Sequence, residues 1–312
     1  MLVALGGNAM TSPDGSATPD AQRQAITGAM ERIADLVAAG AQVALTHGNG
    51  PQVGNLLIKN QLAAHVVPPV PLDWCGAQTQ GTIGMLILNA LEGALAARGE
   101  GRRPVTVVVT RTLVDSGDSA FGAPTKPVGR YFPEVEARRF MALGQSWAWV
   151  GERGWRRVVA SPEPLEIIDA LAVDTLMAAG YVVVSAGGGG IPVVRENGAL
   201  RGVEAVIDKD LAAALLARHI GAATLVIATD VDHVMTGYGT SHSRPIGRTT
   251  PAELRRLADA GEFASGSMGP KVEAALRFVA NGGGRAAISS LDLIGDAAAG
   301  KAGTIIEREQ PT

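Results

Sequence analysis

Short apolar runs alternate along this chain with longer stretches in which apolar residues return every third or fourth position. The runs at Leu2–Leu5, 43–46, Val105–Val109, 157–160, 181–185 and Thr224–Ala228 predict strands. Between the first two, Ile26, Met30, Ile33, Leu36 and Val37 share one helical face, with Thr18-Pro19 as N-cap and first-turn proline and Gly40 as the stop. Pro71 to Gly99 predicts a second helix, carrying Ile83, Leu86, Ile87, Ala90, Leu91 and Leu95, with Gly81 and Gly84 allowing another backbone to approach. Its apolar load exceeds what one face needs, which fits either ordinary core or a subunit contact. Further helices are expected from about Pro164 to Ala179, from Leu211 through Leu215 and Leu216 to Gly221, after a Thr250–Glu253 capping box, and from near Met268. Two short strands close the chain. Such alternation predicts an α/β fold with a mostly parallel sheet.

Residues 113 to 152 break that rhythm. Two prolines flank Lys126, and Phe121, Tyr131, Phe132, Trp147 and Trp149 crowd the same stretch, which reads as an inserted subdomain or lid. No internal repeat or low-complexity linker divides the rest.

Three apolar runs end in glycine-rich turns: Gly6-Gly7-Asn8, His47-Gly48-Asn49-Gly50-Pro51 and Gly187-Gly188-Gly189-Gly190. Glycine reaches backbone conformations that turn several amides toward one point, and a following helix adds its positive end. Parallel strands would deliver all three turns to one edge of the sheet, where an anion binds. Neither the Walker spacing nor Gly-x-Gly-x-x-Gly is present, so a P-loop enzyme and a nicotinamide dehydrogenase are both disfavoured.

Composition narrows the chemistry further. The 312 residues carry a net charge of -3, which offers no basic field for nucleic acid. Cys75 is the one cysteine, excluding an intrachain disulfide and a thiolate metal cluster. The chain opens on a strand, and no apolar run reaches membrane-spanning length, so a cytoplasmic protein is expected. His47, His65, His219, His233 and His242 show no metal-ligand spacing, and a structural hydrogen bond is the expected role of His47. Arginine supplies 22 of the 27 basic residues, leaving Lys59, Lys126, Lys209, Lys271 and Lys301. Lysine retained against that bias suggests a compact ammonium that follows a moving phosphoryl group. Lys126, Lys209 and Lys271 stand in unusual settings: Pro-Thr-Lys-Pro, Asp-Lys-Asp and Gly-Pro-Lys. Asp208-Lys209-Asp210 is either a helix start favoured by the macrodipole or, if extended, a segment with Lys209 on one side and both aspartates on the other.

Several ordered blocks carry a resemblance. They are Ala4-Leu5-Gly6-Gly7-Asn8-Ala9, His47-Gly48-Asn49-Gly50-Pro51-Gln52-Val53-Gly54-Asn55-Leu56, Pro71-Leu72-Asp73, Thr79-Gln80-Gly81, Pro124-Thr125-Lys126-Pro127-Val128-Gly129 and Gly154-Trp155-Arg156-Arg157-Val158-Val159. Gly187-Gly188-Gly189-Gly190-Ile191-Pro192-Val193, the run from Gly202 to Asp210, and Gly266-Ser267-Met268-Gly269-Pro270-Lys271 continue the series. In these blocks the chain resembles the carbamate kinases of the amino acid kinase superfamily, over nearly its whole length. Gln78 before Thr-Gln-Gly and Gly237 before Tyr238 depart from the family's usual residues.

The resemblance implies a single domain over 1–312, a three-layer αβα sandwich with a mainly parallel central sheet, and a protruding lid at 113–152. It implies that Gly6, Gly7, Asn8, Gly48, Asn49, Gly50, Gly187, Gly188 and Gly189 bind the phosphoryl group and carbamate. Lys126, Lys209, Lys271 and Asp210 would be catalytic; Asp208, Thr229, Asp230, Asp232, Tyr238 and Met268 would serve the nucleotide. Mg²⁺ would arrive bridged by the phosphates of ATP or ADP. The substrates implied are carbamoyl phosphate or carbamate with ADP or ATP, and the assembly a homodimer. Two other readings stay open: another phosphotransferase of this superfamily acting on a carboxylate or phosphate, or a nucleotide-binding regulator without turnover. The three lysines argue against the second.

Overall fold

The structure, a computed structural model, describes residues 1–7, 11, 18–264 and 266–308. The first half of the chain runs β1 (Leu2–Leu5), α1 (Pro19–Ala38), β2 (Ala44–His47), α2 (Gly50–Ala63), α3 (Leu72–Ala97), β3 (Val105–Val107) and β4 (Arg111–Leu113). Next come β5 (Lys126–Phe132), α4 (Glu134–Met141), β6 (Trp147–Trp149), β7 (Trp155–Val159), β8 (Glu166–Ile167), α5 (Ala170–Ala178) and β9 (Val182–Val184). The second half adds β10 (Ile191–Glu196), β11 (Ala199–Gly202), α6 (Lys209–His219), β12 (Thr224–Thr229), β13 (Val234–Thr236) and β14 (Arg244–Ile246). It closes with β15 (Arg248–Thr249), α7 (Pro251–Asp259), α8 (Met268–Ala280), β16 (Arg285–Ser290), α9 (Ile294–Ala298) and β17 (Thr304–Glu307).

Eight strands form the central sheet in the order β15-β17-β16-β12-β1-β2-β9-β3, parallel throughout except where β16 meets β17. Period-two alternation sorts its side chains into two cores. Leu2, Ala4, Leu225 and Ile227 pack with α5, α6 and α8 on one face. Val3, Leu5, Leu45 and Val226 pack with α1 and α3 on the other. Two helical layers around one sheet make the three-layer α/β sandwich. The turns after β12, β1, β2 and β9, four neighbouring parallel strands, therefore open at one edge.

Beside this body, β5, β7 and β6 form a three-stranded antiparallel sheet in the order β5-β7-β6. Phe132, Phe140 and Trp147 give it a small core of its own, with ring centroids 5.3 to 5.9 Å apart. Its root, Val128 and Val159, packs on Val53 and Leu57 of α2 and Leu72 and Cys75 of α3. Packing is thus what Cys75 does.

The structure corrects several sequence expectations. The run at 157–160 does not return to the main sheet, because β7 is the central strand of the small sheet. Residue 113 lies in β4, part of a separate four-stranded sheet β11-β10-β4-β8, so the break in rhythm begins before the small sheet does. The helix expected from Pro164 starts at Ala170; before it, Leu165 and Ile168 donate their amides to Leu113 and Arg111 and hold the segment beside β4. Helix α2 was not expected, since Gly54, Asn55 and Asn60 interrupt its apolar face. Gly84 admits the Val107 side chain rather than a backbone, and among the described residues nothing lies within 4 Å of a Cβ added at Gly81. Helix α9 separates the two closing strands.

Candidate active site

The glycine turns meet because glycine alone fits between them. A Cβ added to Gly48 would lie 3.1 Å from the Gly7 nitrogen and 3.5 Å from Cδ of Lys209. One added to Gly187 would overlap the His47 ring, one at Gly188 the Asn49 amide, and one at Gly189 the Ile207 carbonyl. The first, second and third turns and the segment leading into α6 therefore share one junction. Gly6 closes against the Ala228 carbonyl, whereas a Cβ at Gly7 or Gly50 would meet nothing within 4 Å among the described residues. Asn8 lies outside the described residues. The Gly48 amide donates to Leu5 O at 3.0 Å, so Gly48 serves the junction through its missing side chain rather than as a free donor.

Helix α2 begins at this junction with its cap turned away. Asn49, at the N-cap position, donates its side-chain amide to Thr79 Oγ1 at 2.8 Å and makes no capping bond. The first turn of α2 therefore has no side-chain cap, and the positive end of the helix lies at the junction of the turns. The third turn is entered through Ala186, whose φ of 49° and ψ of 34° are left-handed, a conformation that costs a non-glycine residue on the order of 1–2 kcal/mol. Buried threonines hold it there: Ala186 N donates to Thr110 Oγ1 at 2.9 Å, and Ala186 O accepts from Thr46 Oγ1 at 2.8 Å.

Two aspartates organise the lysines. Asp208 is the N-cap of α6, its Oδ1 accepting from the amides of Asp210 and Leu211. The helical alternative for Asp208-Lys209-Asp210 is the one the structure takes; a cap and the first turn place the three side chains around an axis, not on two faces of an extended segment. The other carboxylate oxygen of Asp208 accepts from Lys126 Nζ, at the start of β5, at 2.8 Å. Asp210 is buried and binds both Lys209 Nζ and, at 3.2 Å, Lys271 Nζ. Burial alone would raise the Asp210 pKa, but the two ammoniums and their hydrogen bonds outweigh it and hold the carboxyl below its ordinary value.

A cavity of about 510 Å³ opens from the same place and is lined by Gly6, Gly7 and Lys271 at one end. Thr229, Asp230, Tyr238 and Met268, expected on the nucleotide side, line it. Asp208 and Asp232 do not: Asp208 faces Lys126, and the Asp232 carbonyl accepts from Ser289. Sequence reasoning did not single out Met235, Glu262 or Phe263, which also line the cavity. Glu262 accepts from the Gly237 amide, and Gly237 has a φ of 56°, a conformation that favours glycine at this departure from the family pattern. Among the described residues no group of three or more His, Cys, Asp or Glu side chains could hold a metal ion.

His47 is fully enclosed beneath the turns, its Nδ1 3.0 Å from the Gly48 carbonyl, so Nδ1 carries the proton. Burial pushes its pKa down to about 4, against the Gly48 hydrogen bond and with the help of Lys209. In the unfolded chain the value is the ordinary 6.5, so between pH 6.5 and 4 the unfolded state binds more protons. The contribution of neutral His47 to stability is complete above pH 6.5 and is lost as the pH falls to about 4, by on the order of 3 kcal/mol. Urea unfolding of wild type and His47→Gln across this range checks it: the variant's stability should fall less steeply with acidification, and parallel curves would refute the assignment.

The profile of the Amino acid kinase family matches residues 1–290. A carbamate kinase of Thermococcus kodakarensis is 44% identical, covering 99% of both chains. Carbamate kinase 1 of Enterococcus faecium is 45% identical over 95% of this chain and 94% of its own. The solved structure of carbamate kinase from Giardia lamblia bound to AMP-PNP superposes with a TM-score of 0.93 at 42% identity, covering 99% of this chain and 98% of that one. By its sequence and by its fold, the chain belongs to the amino acid kinase family and, within it, to the carbamate kinases.

Proposed function

We propose that the protein catalyses the reversible transfer of a phosphoryl group between carbamoyl phosphate and ADP, giving ATP and carbamate. The observation that carries this reading is the gathering of Lys126, Lys209 and Lys271 on Asp208 and Asp210 where the glycine turns meet the 510 Å³ cavity. In the forward direction a β-phosphate oxygen of ADP attacks phosphorus, the bond from phosphorus to the carbamate oxygen breaks, and carbamate leaves with the electron pair. It then decomposes to carbon dioxide and ammonia. Such a transfer needs in-line positioning and cations on the phosphoryl oxygens more than covalent help from the protein.

Lys271 lines the cavity and would meet the nucleotide phosphates. Lys209, against Gly48, would meet the transferring group, and Lys126 would reach it from the small sheet, acting as a lid that excludes water. Both aspartates at the junction already hold lysines, so Mg²⁺ fits here as the counter-ion that the nucleotide phosphates bring with them. It would neutralise phosphate charge.

The junction is built of backbone and lysine, with little side-chain specificity for a larger acceptor. ADP and carbamoyl phosphate should therefore yield ATP in a coupled assay, while acetylglutamate, aspartate and uridine monophosphate should not be phosphorylated by ATP. Comparable turnover with any of these would refute the carbamate assignment and spare the kinase one.

A cytoplasmic homodimer completes the proposal. Among the described residues no helix is long and apolar enough to cross a membrane. Helix α3 exposes Trp74 (59%) and Met85 (51%) along its outer face, large apolar groups suited to a second copy. Sedimentation at micromolar concentration should give a dimer; a monomer there would remove this part of the proposal.

A further inference from the structure

Gln80 is a polar residue on a helix face that is otherwise core. It is 2% exposed, in the same row of α3 as Ile83, Ile87 and Leu91. Burying a carboxamide there is costly unless its hydrogen bonds are made. They are: Nε2 donates to Thr110 O and to Gly187 O, each at 3.1 Å, and Oε1 accepts from Thr110 N at 2.9 Å. One side chain of α3 thus reads two separate pieces of backbone. The residue beside it, Thr79, accepts from the side-chain amide of Asn49, the N-cap residue of α2. Adjacent residues of α3 thereby tie the second and third glycine turns to one rigid element.

The bond to Gly187 O has a directional consequence. In a planar trans peptide the carbonyl and the next N–H point in opposite directions. Fixing Gly187 C=O on Gln80 therefore fixes the Gly188 N–H away from α3. Among the described residues that amide has no protein acceptor, whereas its neighbours are committed: Gly189 N donates to Ala186 O and Gly190 N to Gly187 O. Gly188 itself lies against Asn49 at the start of α2, where the turns converge.

We propose that Gln80 is a positioning residue that, by holding the Gly187 carbonyl, aims the Gly188 amide as a hydrogen-bond donor to the transferring phosphoryl group or the carbamate leaving it. The assignment rests on the proposed phosphoryl transfer. A preorganised donor of this kind acts mainly in the transition state, so its loss lowers kcat more than it raises KM.

Steady-state kinetics with ADP and carbamoyl phosphate, beside thermal melts, tests it in three variants. Gln80→Met keeps size and removes every hydrogen bond; kcat should fall about a hundredfold with the KM for ADP unchanged. Thr112→Val is the control, because Thr112 Oγ1 holds another carbonyl of the same turn, that of Gly189, whose following amide is already committed. It should lower the melting temperature while keeping kcat within about threefold of wild type. Gln80→Glu should regain turnover as the pH falls, relative to wild type, because the introduced carboxyl donates to Gly187 O only when protonated. That pH profile decides the matter if Gln80→Met fails to fold. A Gln80→Met enzyme with near-normal kcat, a Thr112→Val enzyme with the same kcat loss, or a Gln80→Glu enzyme without acid rescue would overturn the proposal. Wild type that makes no ATP from carbamoyl phosphate would instead overturn the reading on which it rests.

Discussion

Asp210→Asn should lower kcat by about a thousandfold while leaving the KM for ADP unchanged or reduced. The carboxylate is the shared counter-ion of Lys209 and Lys271, and it is buried with its pKa held low, so it is charged throughout the working range. Removing its charge leaves two ammoniums facing each other without an anchor. A misplaced stabiliser typically costs a hundredfold, and two lysines that act as a unit lose less than the product of their separate effects, hence about a thousandfold. A bound polyanion still attracts both cations, which is why ground-state affinity survives. The folded protein should also lose about 3 kcal/mol, the usual cost of breaking a buried pair from one side. Activity within tenfold of wild type, measured by steady-state assay on a variant with a cooperative melt, would show that Asp210 does not organise the lysines.

Lys209→Arg and Lys271→Arg, each retaining charge, should lower turnover about a hundredfold, equivalent to about 3 kcal/mol, and Lys126→Arg should lower it as well. The stem of Lys209 runs past Gly48, where even a Cβ would stand 3.5 Å from its Cδ, and Lys271 reaches back to within 3.5 Å of Ser267 O. A planar guanidinium in either place moves its charge relative to the transferring oxygens. Lys59 and Lys301 are exposed and form no ion pair among the described residues, so Lys59→Arg and Lys301→Arg should be silent. Five variants with equal activity would remove the lysines from the chemistry and leave the glycine turns to carry it.

Much of the body was legible because its signals are local. The Thr18 cap, the Thr250 cap and the period of α1 each depend on a few neighbouring residues, and the structure has both caps bonded as their spacing implies. The strands before the glycine turns were equally plain. What escaped depends on partners far away in sequence. Nothing near 155–159 says that this strand pairs with Lys126–Phe132 instead of the main sheet. Ala186 carries no mark of a left-handed residue, since the two threonines that hold it lie 76 and 140 positions away. Gln80 sits in a motif, but its work is visible only once Thr110 and Gly187 have been brought beside it. Asp208-Lys209-Asp210 left two backbone conformations open, and Ala212 N donating to Asp208 O belongs to only one of them, the helix.

The small sheet is continuous with the start of α6. From β7 the chain passes to Ala160, which bridges in parallel to Ala205 and accepts from Val206 N at 3.0 Å, two residues before Asp208. Arg157 of the same strand pairs with Glu204, whose other oxygen takes the first-turn amide of α3. An engineer who grafts a relative's segment 126–159 onto this chain would consequently cut through a joint, leaving Glu204 and Ala205 mated to a foreign edge beside the cap of α6. The natural cassette for recombination is the small sheet together with 203–208, exchanged as one piece.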